Sequence, residues 1–237
     1  MNGVAADGGT RRLSVLREGA AAAWPVCLGY MPIGLALGVL GQKAGLEPWQ
    51  VGAMSVVVFA GSSQFIAVAM IASGAASTAI IGTTFLVNLR HLLMGSALAR
   101  HLADAKIRFL ALFAYGITDE SFAVNLGNFR EGGWDRRRAL VMNHTANAAW
   151  VASTVAGALV GEFLPPGVLG ISYALTAMFL ALLVYQLRER LHVLVALAAG
   201  ALSVLLHGVL PRNGNVLAAT LAAATMGLFL RMRKGRG

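Results

Sequence analysis

The sequence contains one cysteine, Cys27, and it sits in a hydrophobic stretch. No internal disulfide can form, which excludes a disulfide-stapled secreted domain. Charge is also scarce. Asp, Glu, Lys and Arg make up 12% of the 237 residues, about half the share of a soluble globular domain. Hydrophobic types make up 57%, and the mean hydropathy is +0.70. Such a chain is neither disordered nor an ordinary water-soluble enzyme. Acids are the scarcer sign, 10 against 19 Lys and Arg, for a formal charge of +9. No basic run is long enough to make a nucleic-acid face, so the excess reads as loop charge on the cytoplasmic side of a membrane. The sequence has no paired His/Cys spacing, no phosphate-binding loop and no dinucleotide fingerprint. No metal or cofactor is expected. Gly61-Ser62-Ser63 lacks the spacing of a nucleophile elbow. No catalytic residue is therefore assigned, and an intramembrane hydrolase using Ser62 or Ser63 is the weakest reading.

What is present is apolar segments of membrane length. A bilayer core of about 30 Å takes roughly 20 residues of helix. Eight segments qualify: Ala20–Gly41, Gln50–Ala72, Ser77–Ala99, Ile107–Leu126, Ala139–Gly161, Val168–Leu187, Leu191–Leu210 and Val216–Leu230. The expected fold is all-α, a polytopic transmembrane bundle with some segments broken or re-entrant. Residues 1–19 read as a basic cytoplasmic segment, 20–230 as one transmembrane domain and 231–237 as a basic cytoplasmic tail. Thr10-Arg11-Arg12-Leu13-Ser14 looks like a twin-arginine signal. The favoured reading is a juxtamembrane anchor without cleavage, because many further spans follow.

Loop charge discriminates between two topologies, both with cytoplasmic termini. If all eight segments cross, Lys and Arg total 13 inside and 5 outside, with Arg90 within a span. If the second and fourth segments dip in and return, the totals become 16 and 2. The re-entrant arrangement obeys the positive-inside rule better. Segment pairs 1–2 and 5–6 each read as helix, Pro-containing loop, helix, a weak sign of a repeat.

Three charged residues lie well inside apolar segments: Arg90, Asp119 and Glu120. Each costs about 2.5–3.5 kcal/mol at the bilayer centre on insertion scales, so each faces protein or water. Measured from the loop they share, Arg90 and Asp119 lie about 14 and 18 Å deep. Arg90 can therefore reach Asp119 or Glu120. The two acids are about 100° apart on a helix, so one arginine does not satisfy both. The other acid is left for a proton or a substrate ammonium.

Thr84, Asn88, His91 and Gly95 form one stripe on the third segment. It reads equally as a packing seam and as a cavity wall in which His91 carries a proton. The second segment is interrupted by Ala60-Gly61-Ser62-Ser63-Gln64, and the first by Gly29-Tyr30-Met31-Pro32-Ile33-Gly34. Broken helices at mid-membrane present ends that bind ions and carboxylates. Pro32 and Gly34 are the candidate break or hinge, although a Pro kink with Gly34 and Gly38 as a packing surface accounts better for the first segment taken alone. His144 and His207 read as satisfied packing residues.

The blocks GYMPIGLALG (29–38), MSVVVFAGSSQF (54–65), NLRHLLMGSALARHL (88–102) and ITDESFAV (117–124) occur in this order, with a weaker ALTAMFLALLV (174–184). Together they resemble the AzlC-type, azaleucine-resistance family of branched-chain amino acid permeases. Met94 stands where many members carry an aromatic residue. The resemblance implies export of branched-chain amino acids across a bacterial inner membrane, with a small AzlD-type membrane subunit. The motif residues it carries over are Pro32, Gly34, Gly61, Gln64, Asn88, Arg90, His91, Asp119 and Glu120. Chemistry suggests their roles. Gly61, Ser62, Ser63, Gln64, Asn88 and Arg90 would bind the substrate, its carboxylate held by the helix-end amides near Gly61–Gln64 or by Arg90. His91, Asp119 and Glu120 would serve the ammonium or a coupling proton. The lipid bilayer is the other partner, a higher oligomer is possible, and no nucleic acid is expected. The rival readings are a scaffold subunit whose partner carries the pathway, and a transporter of another small zwitterion.

Overall fold

The computed structural model describes residues 4–164, 180, 184, 187, 189–206 and 214–234. Among these residues all regular structure is helical: α1 (Val4–Lys43), α2 (Pro48–Val57), α3 (Gly61–Ala72), α4 (Ser77–Ala99), α5 (Ile107–Tyr115), α6 (Asp119–Glu131), α7 (Arg136–Phe163), α8 (Arg190–Leu206) and α9 (Gly214–Lys234). The chain divides into two compact units, 1–168 and 169–237. In the second unit α8 and α9 form an antiparallel pair. Gly227 packs on Val195, and Asn215 Nδ2 donates to the Ser203 carbonyl at 3.0 Å. The expected segment Val168–Leu187 and His207 lie mostly or wholly outside the described residues.

The spine of the first unit is α1 against α7. Residues 13–43 of α1 are long and apolar enough to cross a bilayer alone. The two helices run parallel. Gly19 faces Arg138 and Val141, Gly34 faces Ser153, and Gly161 faces Val39 and Gln42. The approach is close. A methyl group placed on Gly34 would come within 1.9 Å of Ser153 Oγ, and one on Gly38 within 2.1 Å of the Thr154 carbonyl. Small residues let helix backbones meet where lipid supplies no hydrophobic drive. Lys43 donates to the carbonyls of Gly161 and Leu164 at 2.9 and 2.6 Å, satisfying the last turn of α7.

The expected break at Pro32 is not there. α1 runs through Pro25 and Pro32 without interruption. A proline removes one backbone donor and leaves the carbonyl four residues earlier without its bond. The Gly19 contact with α7 before that gap, and the Gly34 and Gly38 contacts after it, hold the helix on both sides. Gly34 is thus a packing position.

The second and fourth apolar segments are each two helices that turn back. His101, six residues before α5, stacks on Phe129 near the end of α6, with centroids 4.8 Å apart. Arg136, beyond α6, lies over Phe109 at the start of α5, 5.8 Å from the ring centroid, and donates to the Asp104 carbonyl at 3.1 Å. A straight helix would place Phe129 about 33 Å from Ile107. Six residues reach at most about 21 Å. The chain therefore enters as α5, turns at Gly116-Ile117-Thr118 and leaves as α6 on the same face. We call this the lower hairpin.

The same arithmetic holds for α2 and α3. α2 starts where α1 ends, with Val51 packed on Gly41. Ser63, early in α3, donates to Asn88 Oδ1 at 2.7 Å. Asn88 stands about 16 Å along α4 from Ser77. If α3 ran the other way along α4, Ala72 would end about 30 Å from Ser77. The five-step link spans about 17 Å at most. α3 therefore runs antiparallel to α4. The far end of α4 packs through Leu98 and Leu102 with Ala139 at the start of α7, so Ser77 lies at the Lys43 end. This upper hairpin enters and leaves at that end. The opposite end carries Arg17, Arg100, Lys106, Arg108, Arg130, Arg136, Arg137 and Arg138.

Candidate functional site

The two hairpin tips meet near the middle of α1. Tyr115, at the end of α5, donates its hydroxyl to the Val56 carbonyl of α2 and accepts from Asn147 Nδ2 at 3.3 Å. Tyr30 of α1 packs edge-on against Phe59 in the upper tip and against Trp150 of α7, with ring centroids 6.1 and 5.1 Å apart.

The upper tip is tied by neutral bonds. Gln64 Nε2 donates to Ser55 Oγ at 3.0 Å, Trp150 Nε1 donates to Gln64 Oε1 at 2.8 Å, and Thr154 Oγ1 donates to Ser55 Oγ at 2.9 Å. All four side chains are buried. Ser63 Oγ lies 3.0 Å from the Ala60 carbonyl and 2.7 Å from Asn88 Oδ1. The cap residue of α3, Ala60, provides no side-chain bond. The first-turn amides of Gly61, Ser62 and Ser63 thus carry the positive end of the helix dipole without a side-chain acceptor at the cap.

The lower tip is charged. Thr118 caps α6 and exchanges bonds with Ser121: its N–H donates to Ser121 Oγ at 2.8 Å, and its Oγ1 accepts from the Ser121 N–H at 3.2 Å. Asp119 and Glu120 occupy the first turn, where the helix dipole favours acids. Arg90 Nη1 of α4 pairs with Asp119 Oδ2 at 2.8 Å, with 30% and 52% of the two side chains exposed. Glu120 Oε2 accepts from the Tyr30 hydroxyl at 2.8 Å. Arg90 Nε and His91 Nε2 are buried and have no hydrogen-bond partner among the described residues. The charges that act on His91 are Arg90, Asp119 and Glu120. This group is not sealed in dry packing, since both acids are exposed.

The structure brings the expected residues into two sets. Arg90, His91, Asp119 and Glu120 gather at the lower tip. Ser63, Gln64 and Asn88 gather at the upper tip, with Gly61 and Ser62 in the first turn of α3. The α4 stripe faces both hairpins: Asn88 bonds Ser63, and Gly95 packs against Ile117. Pro32 and Gly34 belong to neither set. The ion pair joins Arg90 to Asp119, and Glu120 takes a different partner. That partner, Tyr30, was missed, as were Thr118 and Trp150. The signals were present: Tyr30 interrupts an apolar run beside Pro32, and Thr118-Asp119-Glu120-Ser121 has the form of a helix start.

A helical bundle with two discontinuous segments, whose ends converge on charged side chains, defines an integral membrane protein of the broken-helix kind. The family is specific. The chain belongs to the AzlC protein family, whose model matches residues 25–164 and so includes both hairpins and the charged cluster. It is 30% identical over 212 residues to an uncharacterized membrane protein of Archaeoglobus fulgidus, covering 88% of this chain and 92% of that one. It is 28% identical over 201 residues to inner membrane protein YgaZ of Escherichia coli, covering 81% and 82%. It is 27% identical over 219 residues to the branched-chain amino acid transport protein AzlC of Bacillus subtilis, covering 89% and 82%. No solved structure matches the chain.

Proposed function

We propose that this chain is the large subunit of an exporter of branched-chain amino acids in a bacterial inner membrane, coupled to protons and working with a small AzlD-type subunit. The observation that carries the reading is the Arg90–Asp119 pair with Glu120 alongside, open at the tip of a half-helix. A zwitterion needs a positive feature, an acidic feature and an apolar surround. In this reading Arg90 and the α3 amides of Gly61, Ser62 and Ser63 take the carboxylate. Ser63, Gln64 and Asn88 hold that helix start in place. Asp119 and Glu120 take the ammonium or the coupling proton, with His91 beside them. The name of the Bacillus subtilis relative supports the substrate class. The basic residues collected at the Gly19 end support a cytoplasmic placement for that end and for the N-terminus.

The test is counterflow of labelled leucine in proteoliposomes holding this chain with and without a co-expressed small subunit. Trans-stimulated leucine exchange that requires this chain is the expected result. Exchange by the small subunit alone would make this chain a scaffold. No exchange by the complex, for any branched-chain amino acid, would end the proposal. Proton coupling is read separately, from leucine movement driven by an imposed pH gradient.

A further inference from the structure

Tyr30 stands where α1, α6, α7 and the upper tip meet, and it is 6% exposed. Its hydroxyl lies 2.8 Å from Glu120 Oε2 and 2.8 Å from Thr118 Oγ1. Thr118 is the cap of α6, and its Oγ1 already accepts from the Ser121 amide. A phenol has one proton to donate and can also accept. It cannot donate to the acid and to the cap together.

We infer that Tyr30 is a positioning residue of the transport site, whose hydroxyl passes the protonation state of Glu120 to the cap of α6. This rests on the proton role proposed above for the acid pair. With Glu120 ionised, the Tyr30 O–H donates to Oε2 and the Thr118 O–H donates to Tyr30. When Glu120 gains a proton, its carboxyl O–H becomes the donor. Tyr30 then accepts from Glu120 and turns its own proton to Thr118 Oγ1. Tyr30 keeps its proton in both states; two hydroxyls rotate, and the added proton stays on Glu120. In the second state Thr118 Oγ1 accepts from both Tyr30 and the Ser121 amide, and the Thr118 proton has lost its acceptor. The first turn of α6 also loses one of its two negative charges, which weakens the helix start. Among the described residues, the other charged or titratable groups around Glu120 are Arg90 and His91 of α4 and Asp119 of α6. Phe59 and Trp150, packed on the Tyr30 ring, bring none.

The test uses the full chain and the Glu120→Gln variant, whose side-chain N–H stands in for the protonated acid. The Raman doublet of a tyrosine ring distinguishes a hydroxyl that mainly donates from one that mainly accepts. Subtracting the spectrum of Tyr30→Phe isolates Tyr30 from the other three tyrosines. The expected result is a doublet weighted towards donation in the wild type near neutral pH, where Tyr30 gives its proton to a carboxylate, and shifted towards acceptance in Glu120→Gln. An unchanged Tyr30 doublet in Glu120→Gln overturns the inference. In transport, Tyr30→Phe should flatten the pH dependence and add no further loss in the Glu120→Gln background. Additive losses in the double variant also overturn it. If Tyr30→Phe fails to fold, incorporation of 3-fluorotyrosine keeps the ring and marks the same hydroxyl. The Raman result does not require transport. A normal donor-to-acceptor switch in a chain that moves no leucine overturns the transport reading alone, and intact transport without the switch overturns only the role of Tyr30.

Discussion

The upper hairpin breaks at Val58-Phe59-Ala60 and the lower at Gly116-Ile117-Thr118, and the helices on either side are of similar length, 10 and 12 residues against 9 and 13. They enter from opposite ends of the unit and touch through Tyr115 and the Val56 carbonyl. Their polar groups are handled in opposite ways. The upper tip spends its polar side chains on one another: Gln64, Ser55, Trp150 and Thr154 are buried and mutually bonded. The lower tip leaves Asp119 and Glu120 exposed beside Arg90. A buried, neutral and satisfied network fixes geometry, since each of its members would be costly to leave unpaired. An exposed ion pair gives little stability, and charge kept at membrane depth points to function. In the proposed reading, the contrast fits anchoring by the buried side chains of the upper hairpin and proton or ammonium chemistry at the acids of the lower.

The topology beneath this comparison gives an all-or-none test. In a Cys27→Ser background, single cysteines at Ser77, Ala103 and Gly132 should divide by face when treated with an impermeant maleimide. Ala103 and Gly132 flank the lower hairpin and should label together, from the side opposite to Ser77. With the basic end in the cytoplasm, Ser77 labels from outside. Ser77 labelling from the cytoplasmic side would break the upper hairpin as drawn. In a crossing topology Gly132 would part from Ala103.

Next in size is Arg90→Ala. Loss of a charge-assisted bond to a carboxylate costs about 1.5–3 kcal/mol, so leucine exchange should fall by about ten- to a hundredfold. Folded yield should change little, because the pair is partly exposed. Restoration of exchange by adding Asp119→Ala would show that Arg90 serves only to balance the acid. In the same series Asp119→Asn should lose the pH dependence of exchange. A normal pH profile in that variant removes Asp119 from the proton path and leaves Glu120.

Gln64→Ala probes the other side of the contrast. It strips a partner from Trp150 Nε1 and from Ser55 in a buried place, at about 1–3 kcal/mol for each group left unpaired. The detergent-solubilised protein should melt well below the wild type. Exchange per folded molecule should hold to within a few-fold. Equal melting temperatures with lost exchange would move Gln64 from anchor to binding site.

How far the sequence alone reaches follows from the kind of signal each feature has. Ser77–Ala99 is legible to the residue because Gly74-Ala75-Ala76 and Arg100 bound an apolar run. The upper break is legible to within a few residues: Ala60-Gly61-Ser62-Ser63-Gln64 interrupts such a run, and the chain breaks just before it, at Val58-Phe59-Ala60. Depth along two adjacent segments brings Arg90 within reach of Asp119 or Glu120 but does not choose between them. The path of α1 is not legible in the same way. Pro32 costs one backbone bond, and whether the helix survives depends on α7, more than a hundred residues away. The Tyr30–Glu120 bond fails for the same reason, being set by the docking of α1 on α6 across 90 residues. The lower break contains no proline, and Thr118 acts as a cap only once the chain has turned.

The smallest effect belongs to the bond that joins α4 to the upper tip. Asn88→Ala removes the acceptor of Ser63 Oγ, which still has the Ala60 carbonyl at 3.0 Å. Because no buried donor is stranded, the cost should be near the net value of one neutral hydrogen bond, about 0.5–1.5 kcal/mol. It should appear in the melting temperature, with exchange almost unchanged. A large loss of exchange at normal stability would mean that Asn88 touches the solute, and that the boundary between anchor and working site runs through α4 rather than between the hairpins.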